Sequence, residues 1–163
     1  MLSQTTEYAL RVVAHLASAK QAATTHQIAV ATRVPEGYLA KVLQGLSRAG
    51  LVLSQRGLHG GSILARSPAE ITLYDVVQAI DPIQRITTCP LGLKSHGTRL
   101  CAVHRRLDDA MEAAEKVFKG STLADMLDDP SPSKPLCDSD EQAVDSDARG
   151  RAVRLTVRKK AVT

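Results

Sequence analysis

Aromatic residues and cysteines are scarce in this chain. Its 163 residues include three tyrosines, one phenylalanine and no tryptophan, so a core must be built mainly from Leu, Val, Ile and Ala. Aliphatic side chains of this kind suit packed helices. The three cysteines, Cys89, Cys101 and Cys137, are too few and too unevenly spaced for the disulfide framework of a small secreted domain. The scarcity of cysteine therefore excludes that class of protein.

The chain also lacks a long apolar run and the common catalytic motifs. No stretch of about 18 apolar residues occurs, which predicts that no segment crosses a membrane. The first residues do not form the basic-then-apolar pattern of a secretory signal, so the expected location is the cytoplasm. Neither a G-x-G-x-x-G motif nor a P-loop is found, and no second domain of substrate-binding size is evident. These absences argue against an enzyme and leave a small metal or redox enzyme as the least favoured alternative.

The charge balance permits an anionic partner without requiring one. The formal net charge is +4 and the isoelectric point is near 9.1. This excess of Lys and Arg is compatible with binding to nucleic acid, and it is equally compatible with an ordinary protein surface. Hydrophobic residues make up 44% of the chain, enough for one folded domain. The function must therefore be inferred from motifs.

Residues 24–49 have the pattern of two helices joined by a turn. Thr24 and Gln27 form a capping-box pair, which predicts a helix over residues 25–32. Pro35 suits the first turn of the next helix, which is predicted over residues 35–49 and ended by Gly50. Apolar residues at i, i+3, i+4 and i+7 spacing predict the buried face of that helix: Leu39, Val42, Leu43 and Leu46.

Two short strands, predicted over residues 51–55 and 62–65, follow the helix pair. The segment R-G-L-H-G-G between them permits a tight turn. Two helices about a turn, followed by a thin β-ribbon, are the outline of a winged helix-turn-helix, a unit that binds DNA. Residues at the start of the second helix, on the exposed face of the third and at the ribbon tip are the candidate DNA contacts: Thr25, Tyr38, Lys41, Gln44, Arg48, Arg56 and His59.

The remaining segments complete a fold that is predicted to be mainly α with a small β-wing. Further helices are predicted over 5–18, 73–80, 100–119 and 121–127. The helix over 100–119 carries an apolar stripe close to a heptad repeat, which favours a long C-terminal dimerisation helix. The predicted units are a winged helix-turn-helix domain over 1–81, a loop over 82–99, dimerisation helices over 100–128 and a disordered tail over 129–163.

Four stretches of the chain resemble the IscR/NsrR-type winged-helix transcriptional regulators. They are TEYALRVVAHLA, IAVATRVPEGYLAKVLQGLSRAGLV, QRGLHGGSILA and ITLYDVVQAID, and the resemblance covers about Met1 to Leu127. It implies a homodimer that binds a palindromic double-stranded DNA operator, usually as a repressor. The third helix would enter the major groove and the wing the minor groove, with Arg56 as the inserted side chain. Tyr38, Lys41 and Gln44 would be contacts of the helix.

The resemblance also points to a sensor in the loop over 82–99 and the start of the helix that follows. Thiolate and imidazole groups are suitable ligands for iron–sulfur clusters, and Cys89, Cys101 and His104 supply them here. Cluster-bearing members of the family hold three cysteines in a C-x5-C-x5-C pattern, some with a histidine three residues later. Ser95 stands at the middle position of this chain, so the usual three-thiolate site is incomplete.

Three interpretations of this region stay open. The first is a [2Fe-2S] cluster held by Cys89, Cys101, His104 and a carboxylate, for which the family resemblance suggests Glu7, either of the same chain or of the partner subunit. The second is a thiol switch in which Cys89 and Cys101 oxidise to a disulfide. The third is that these residues hold no ligand. Cys137 falls in the predicted tail and is expected to have no role.

Overall fold

The structure is a computed structural model that describes residues 2–19, 21–55, 60–93 and 99–130. It is mainly helical with one small antiparallel sheet, as the sequence predicts. In chain order the elements are α1 (Gln4–Ser18), α2 (Thr25–Thr32), α3 (Glu36–Arg48), β1 (Val52–Gln55), β2 (Gly61–Leu64), a 3-10 turn (Pro68–Glu70), α4 (Leu73–Ile80), α5 (Ala102–Lys119) and α6 (Leu123–Leu127).

Several ends differ from the predicted bounds by one or two residues. Pro35 is the N-cap of α3 and not its first helical residue, because its ψ of 134° is extended. Cys101 is the N-cap residue of α5 and Thr122 is that of α6. Both helices therefore begin two residues later than predicted. The capping geometry, which the apolar pattern does not report, sets these ends.

Helix α1 lies at the centre of the core. Its face with Ala9, Val12, Val13 and Leu16 is fully or almost fully buried. Helices α2, α3, α4 and α6 and strand β2 all pack against α1. One apolar helix face thus organises most of the elements of the domain.

Helix α2 is fixed at both ends. Thr24 and Gln27 form the predicted capping box at the start of α2. Arg33 ends α2 with a φ of 54°, in the left-handed region. Val34 is buried directly after it, so the turn is anchored in the core before α3 begins.

The hairpin is attached to the linker before α2. Strands β1 and β2 pair with Val52 opposite Leu64 and Gln55 opposite Gly61. Ala23 and Ser62 exchange two backbone hydrogen bonds, with N–O distances of 3.0 and 2.8 Å. A Cβ atom at Gly61 would lie 2.8 Å from the Ala23 carbonyl oxygen, so this close approach requires glycine.

Helices α4 and α6 begin with the same motif and are joined through it. Thr72 and Thr122 each cap a helix and pair with an aspartate three residues later. The two threonines form an isolated antiparallel bridge, and the Leu123 N–H donates to the Ile71 carbonyl at 2.9 Å. This bridge returns the chain to the domain core after α5. A role of residues 100–128 as a dimerisation unit remains a prediction.

Leu123→Ala is expected to destabilise the whole domain. The Leu123 side chain is 0% exposed and belongs to the core around α1. Removing it leaves a cavity, and such changes cost about 2–5 kcal/mol of unfolding free energy. Urea unfolding followed by circular dichroism measures the loss.

Leu91→Ala is the matched control, because Leu91 is 73% exposed and should lose almost nothing. Equal unfolding free energies for the two variants would show that α6 does not contribute to the core.

Candidate nucleic-acid interface and thiol site

The exposed face of α3 carries the predicted DNA contacts. Leu39, Val42, Leu43 and Leu46 are buried, as predicted, on one side of the helix. The side chains predicted to contact DNA are exposed on the rest of the surface: Tyr38, Lys41, Gln44 and Arg48. Lys41, Gln44 and Arg48 also line one groove with Ser3, the N-cap residue of α1, and with Thr5. The helix therefore presents two cations and an amide together, a combination suited to phosphates and base edges.

A second row of side chains supports Tyr38 from α1. The rings of Tyr8 and Tyr38 meet edge to face with centroids 5.9 Å apart. The Arg11 guanidinium carbon lies 5.8 Å from the Tyr8 ring centroid. Arg11 donates to Glu7 at 2.6 Å and to the Thr32 carbonyl at 3.3 Å. Neither Tyr8 nor Arg11 is among the residues that the sequence predicts for the site. The i, i+4 spacing of Glu7 and Arg11 was the available signal.

The other candidate DNA contacts lie at the start of α2 and in the wing. Thr25 is exposed as the first residue of α2. Arg56 and His59 lie outside the described residues. The first described strand ends at Gln55 and the second begins at Gly61.

Cys101 and His104 come together at the start of α5. The Cys101 Sγ lies 3.4 Å from His104 Nδ1, and both residues are half-buried. Cys89 is also half-buried, and neither Cys89 nor Cys101 is in a disulfide. Ser95 lies outside the described residues, as does Cys137. The structure thus brings one predicted thiol and the predicted imidazole into contact.

Glu7, the predicted carboxylate ligand, has a different partner here. Its Oε1 accepts from Arg11 Nε at 2.6 Å, and the two side chains are only partly exposed. Among the residues that the structure describes, no three His, Cys, Asp or Glu side chains are placed to hold one metal ion. The predicted ligand set is therefore not assembled within a single described chain.

Arg85 attaches the segment after α4 to α5. Its guanidinium donates two hydrogen bonds to the Asp108 carboxylate, at 2.7 and 2.8 Å, and one to Glu112 at 2.9 Å. The Ile86 N–H also donates to Asp108 at 2.8 Å. The hydrogen bonds from Arg85 are the main reason that the pKa of Asp108 is lowered to about 2. This set of contacts, the Arg85–Asp108 clamp, fixes the start of the loop against α5.

Glu115 attaches α5 to α4 one turn further along. It accepts from the Tyr74 hydroxyl at 2.6 Å and from Lys119 Nζ at 2.9 Å. The hydrogen bond from Tyr74 lowers the pKa of Glu115 and raises that of Tyr74. Lys119 Nζ also lies 4.5 Å from the centroid of the Tyr74 ring. Polar contacts therefore make a large part of the attachment of α5 to the domain.

The apolar stripe of α5 remains on the surface of the chain. No residue of α5 is fully buried, and Val103, Leu107 and Val117 are exposed. Leu107, Met111 and Phe118 line a groove with Pro82 and Ile83. A row of large apolar side chains on one exposed helix is the usual feature of a surface that is covered by another chain.

A helix-turn-helix, the base of a two-stranded wing and an added long helix define a winged-helix DNA-binding protein. More particularly, the chain belongs to the Rrf2 family, whose sequence profile, described as "Iron-dependent Transcriptional regulator", matches residues 2–129. This confirms the family resemblance found in the sequence. The protein is therefore a DNA-binding transcriptional regulator and not an enzyme.

Individual relatives agree with this assignment. The chain is similar to the HTH-type transcriptional regulator NsrR of Geobacillus kaustophilus, with 34% identity over 135 residues that cover 78% of this chain and 90% of the relative. The structure of T. potens IscR aligns with a TM-score of 0.65 and 27% identity, covering 80% of this chain and 88% of that one. CymR, the global cysteine regulator of B. subtilis, aligns with a TM-score of 0.63 and 26% identity, covering 77% and 95%.

Membrane insertion finds no support among the described helices. None of them combines the length and the apolar character needed to cross a bilayer.

Asp108→Asn should lower the melting temperature near neutral pH. The pKa of Asp108 is about 2, below the ordinary value of 3.8, so its ionised form is favoured by folding. The stabilisation is therefore present above the ordinary pKa and is lost as the pH falls through about 2. We expect the difference in melting temperature between wild type and variant to close over that range.

Asp109→Asn is the neighbouring control, since Asp109 is more exposed and lies 3.8 Å from Arg106. It should show little difference at any pH. If the difference in melting temperature between Asp108→Asn and wild type does not change with pH, the role given to the Arg85–Asp108 clamp is contradicted.

Proposed function

We propose that this regulator is a homodimeric repressor that inserts α3 into the major groove of a palindromic operator. The exposed face of α3 carries the proposal, because it places Lys41, Gln44 and Arg48 outward on a helix whose opposite face is locked in the core. Arg56 at the wing tip would enter the minor groove, where the potential is most negative. Thr25 and His59 would contact the DNA backbone. A protein that binds operator DNA must reach that DNA, so we propose that it acts in the cytoplasm.

The α5 stripe supports the homodimer. Val103, Leu107, Ala110, Ala114 and Val117 follow one another at alternating steps of four and three residues, the spacing of a coiled-coil seam. Two copies packed along this seam would cover the exposed side chains. A two-fold dimer then presents two α3 helices to two half-sites, which accounts for a palindromic operator. Sedimentation equilibrium of wild type and of Leu107→Glu tests this step, and a monomeric wild type would contradict it.

A [2Fe-2S] cluster held by Cys89, Cys101, His104 and Glu7 of the partner subunit is the proposed sensor. The donor set fits such a group, since two half-buried thiols and an imidazole 3.4 Å from one of them are suitable ligands. When bound, the group would supply sensitivity to redox state, nitric oxide or iron supply.

Glu7 offers a route from this site to the DNA-binding face. Ligation of Glu7 must compete with its 2.6 Å ion pair to Arg11. Arg11 lies over Tyr8, and Tyr8 supports Tyr38 on α3. Withdrawing Glu7 from Arg11 would therefore loosen the support of one proposed DNA contact.

The structure also permits a regulator without a cluster. Neither Cys89 nor Cys101 is in a disulfide, and oxidation of the pair to one would tie the loop to the start of α5. This second candidate shares the DNA-binding surface and differs only in the signal.

Lys41→Ala is expected to weaken operator binding about equally for all sequences. A lysine that contacts phosphate displaces a condensed counterion, which contributes about 0.9 to the slope of log affinity against log salt concentration. Two lysines are lost per dimer, so the slope should fall by about 1.8. Fluorescence anisotropy at several salt concentrations measures both quantities.

Lys116→Ala on α5 removes the same charge away from α3 and should leave the salt slope unchanged. If the two variants behave alike, α3 is not the surface that meets the DNA backbone.

Protein purified without oxygen should absorb between about 320 and 460 nm and contain iron and sulfide, as expected for cluster-bound thiolates. Cys89→Ala and Cys101→Ala should each abolish these bands, because both thiols are proposed ligands. Cys137→Ala is the control and should retain them. Colourless protein that cannot be reconstituted would remove the cluster, and titration of the two thiols with oxidant would then test the disulfide.

A further inference from the structure

A side-chain hydrogen bond joins the first turns of α2 and α3. His26 Nδ1 lies 3.0 Å from Glu36 Oε1. Because a carboxylate only accepts hydrogen bonds, Nδ1 is the donor. The two side chains are 78% and 62% exposed, so this pair is not part of the core and contributes little to stability. The hydrogen bond lies on the exposed side of the helix-turn-helix, where the first turns of α2 and α3 meet, so we consider a role in DNA binding.

Glu36 is placed where a DNA-binding helix reads base edges. It is the first residue of α3 and the only acidic residue in that helix. The N-terminal residues of such a helix are the ones that reach the bases. Phosphates repel a carboxylate, so the DNA groups that it can approach favourably are hydrogen-bond donors on the base edges.

Base chemistry narrows the choice of donor. The major groove offers the N4 amino group of cytosine and the N6 amino group of adenine. Adenine also presents its N7 lone pair beside N6, and that lone pair would repel the second carboxylate oxygen. Cytosine presents its amino group without such a neighbour on the same base. A glutamate at this position therefore favours cytosine.

We propose that Glu36 determines specificity by accepting a hydrogen bond from the N4 amino group of a cytosine in each operator half-site. His26 is a positioning residue, because its bond to Oε1 limits the rotation of the carboxylate and directs Oε2 toward the groove. The inference rests on the proposed insertion of α3 into the major groove, and it adds the base that one residue recognises.

The test measures base preference with the full chain. Preferred duplexes are selected from a random pool, and affinities are then measured for every single-base replacement in one half-site. Wild type should prefer cytosine at one position by roughly 5- to 150-fold. Glu36→Gln should move the preference at that position to adenine, because an amide pairs with N6 and N7 together. Preferences at other positions should stay the same.

Further variants distinguish base recognition by Glu36 from a general effect of removing a carboxylate, and test the positioning role of His26. Asp109→Asn removes an exposed carboxylate from α5 and should leave every base preference unchanged. His26→Ala should reduce discrimination at the cytosine position alone, and His26→Gln, which keeps a donor, should restore part of it. Circular dichroism confirms that each variant is folded.

An unchanged base ranking in Glu36→Gln would overturn the inference, as would a uniform rise in affinity without a change in ranking. Full discrimination in His26→Ala would overturn the positioning role. A wild-type chain that selects no duplex would instead overturn the proposed function, so the two failures are distinct.

Discussion

Burial of one face of α1 is the interaction on which the rest of the structure depends. Ala9, Val12, Val13 and Leu16 are removed from water, and each fully buried large aliphatic side chain is worth about 1.5–3 kcal/mol. Because α2, α3, α4, α6 and β2 all pack on this helix, a single core fixes the orientation of the DNA-binding face. Close packing makes such a core rigid, and α3 is held rigidly because its buried face is part of that core.

Helix α5 is attached in a different way. Much of its attachment is polar: Arg85 with Asp108 and Glu112, and Tyr74 with Glu115. Arg85, Asp108 and Glu115 are only partly exposed, and polar contacts that still meet water contribute little stability each. The attachment of α5 is consequently weaker than the packing within the domain, even though the helix is the longest in the described chain. The DNA-binding domain is therefore held more firmly than the position of α5 relative to it.

Local signals made most of the fold predictable. The capping boxes at Thr24 and Thr72 involve residues three apart, so the sequence shows them directly. The apolar stripe of α3 predicted its buried face in the same way, and the exposed face followed from it. By contrast, the Arg85–Asp108 clamp joins residues 23 apart, and the contact of Tyr8 with Tyr38 joins two helices. No periodicity encodes such pairs, because they depend on how the helices are arranged. The pair of His26 with Glu36 was missed for the same reason.

The candidate sensor lies between the core around α1 and helix α5, and the free energies of these two parts differ. Cys89 and Cys101 lie in the chain between Arg85 and Asp108, the two residues of the clamp, and Cys101 is the N-cap residue of α5. Coupling between a signal and a binding site typically amounts to about 1–3 kcal/mol. That amount is comparable with a few exposed ion pairs and far smaller than the free energy that holds the α1 core together. A signal at the thiols could therefore change the placement of α5, and with it the spacing of two α3 helices in a dimer, without unfolding either one.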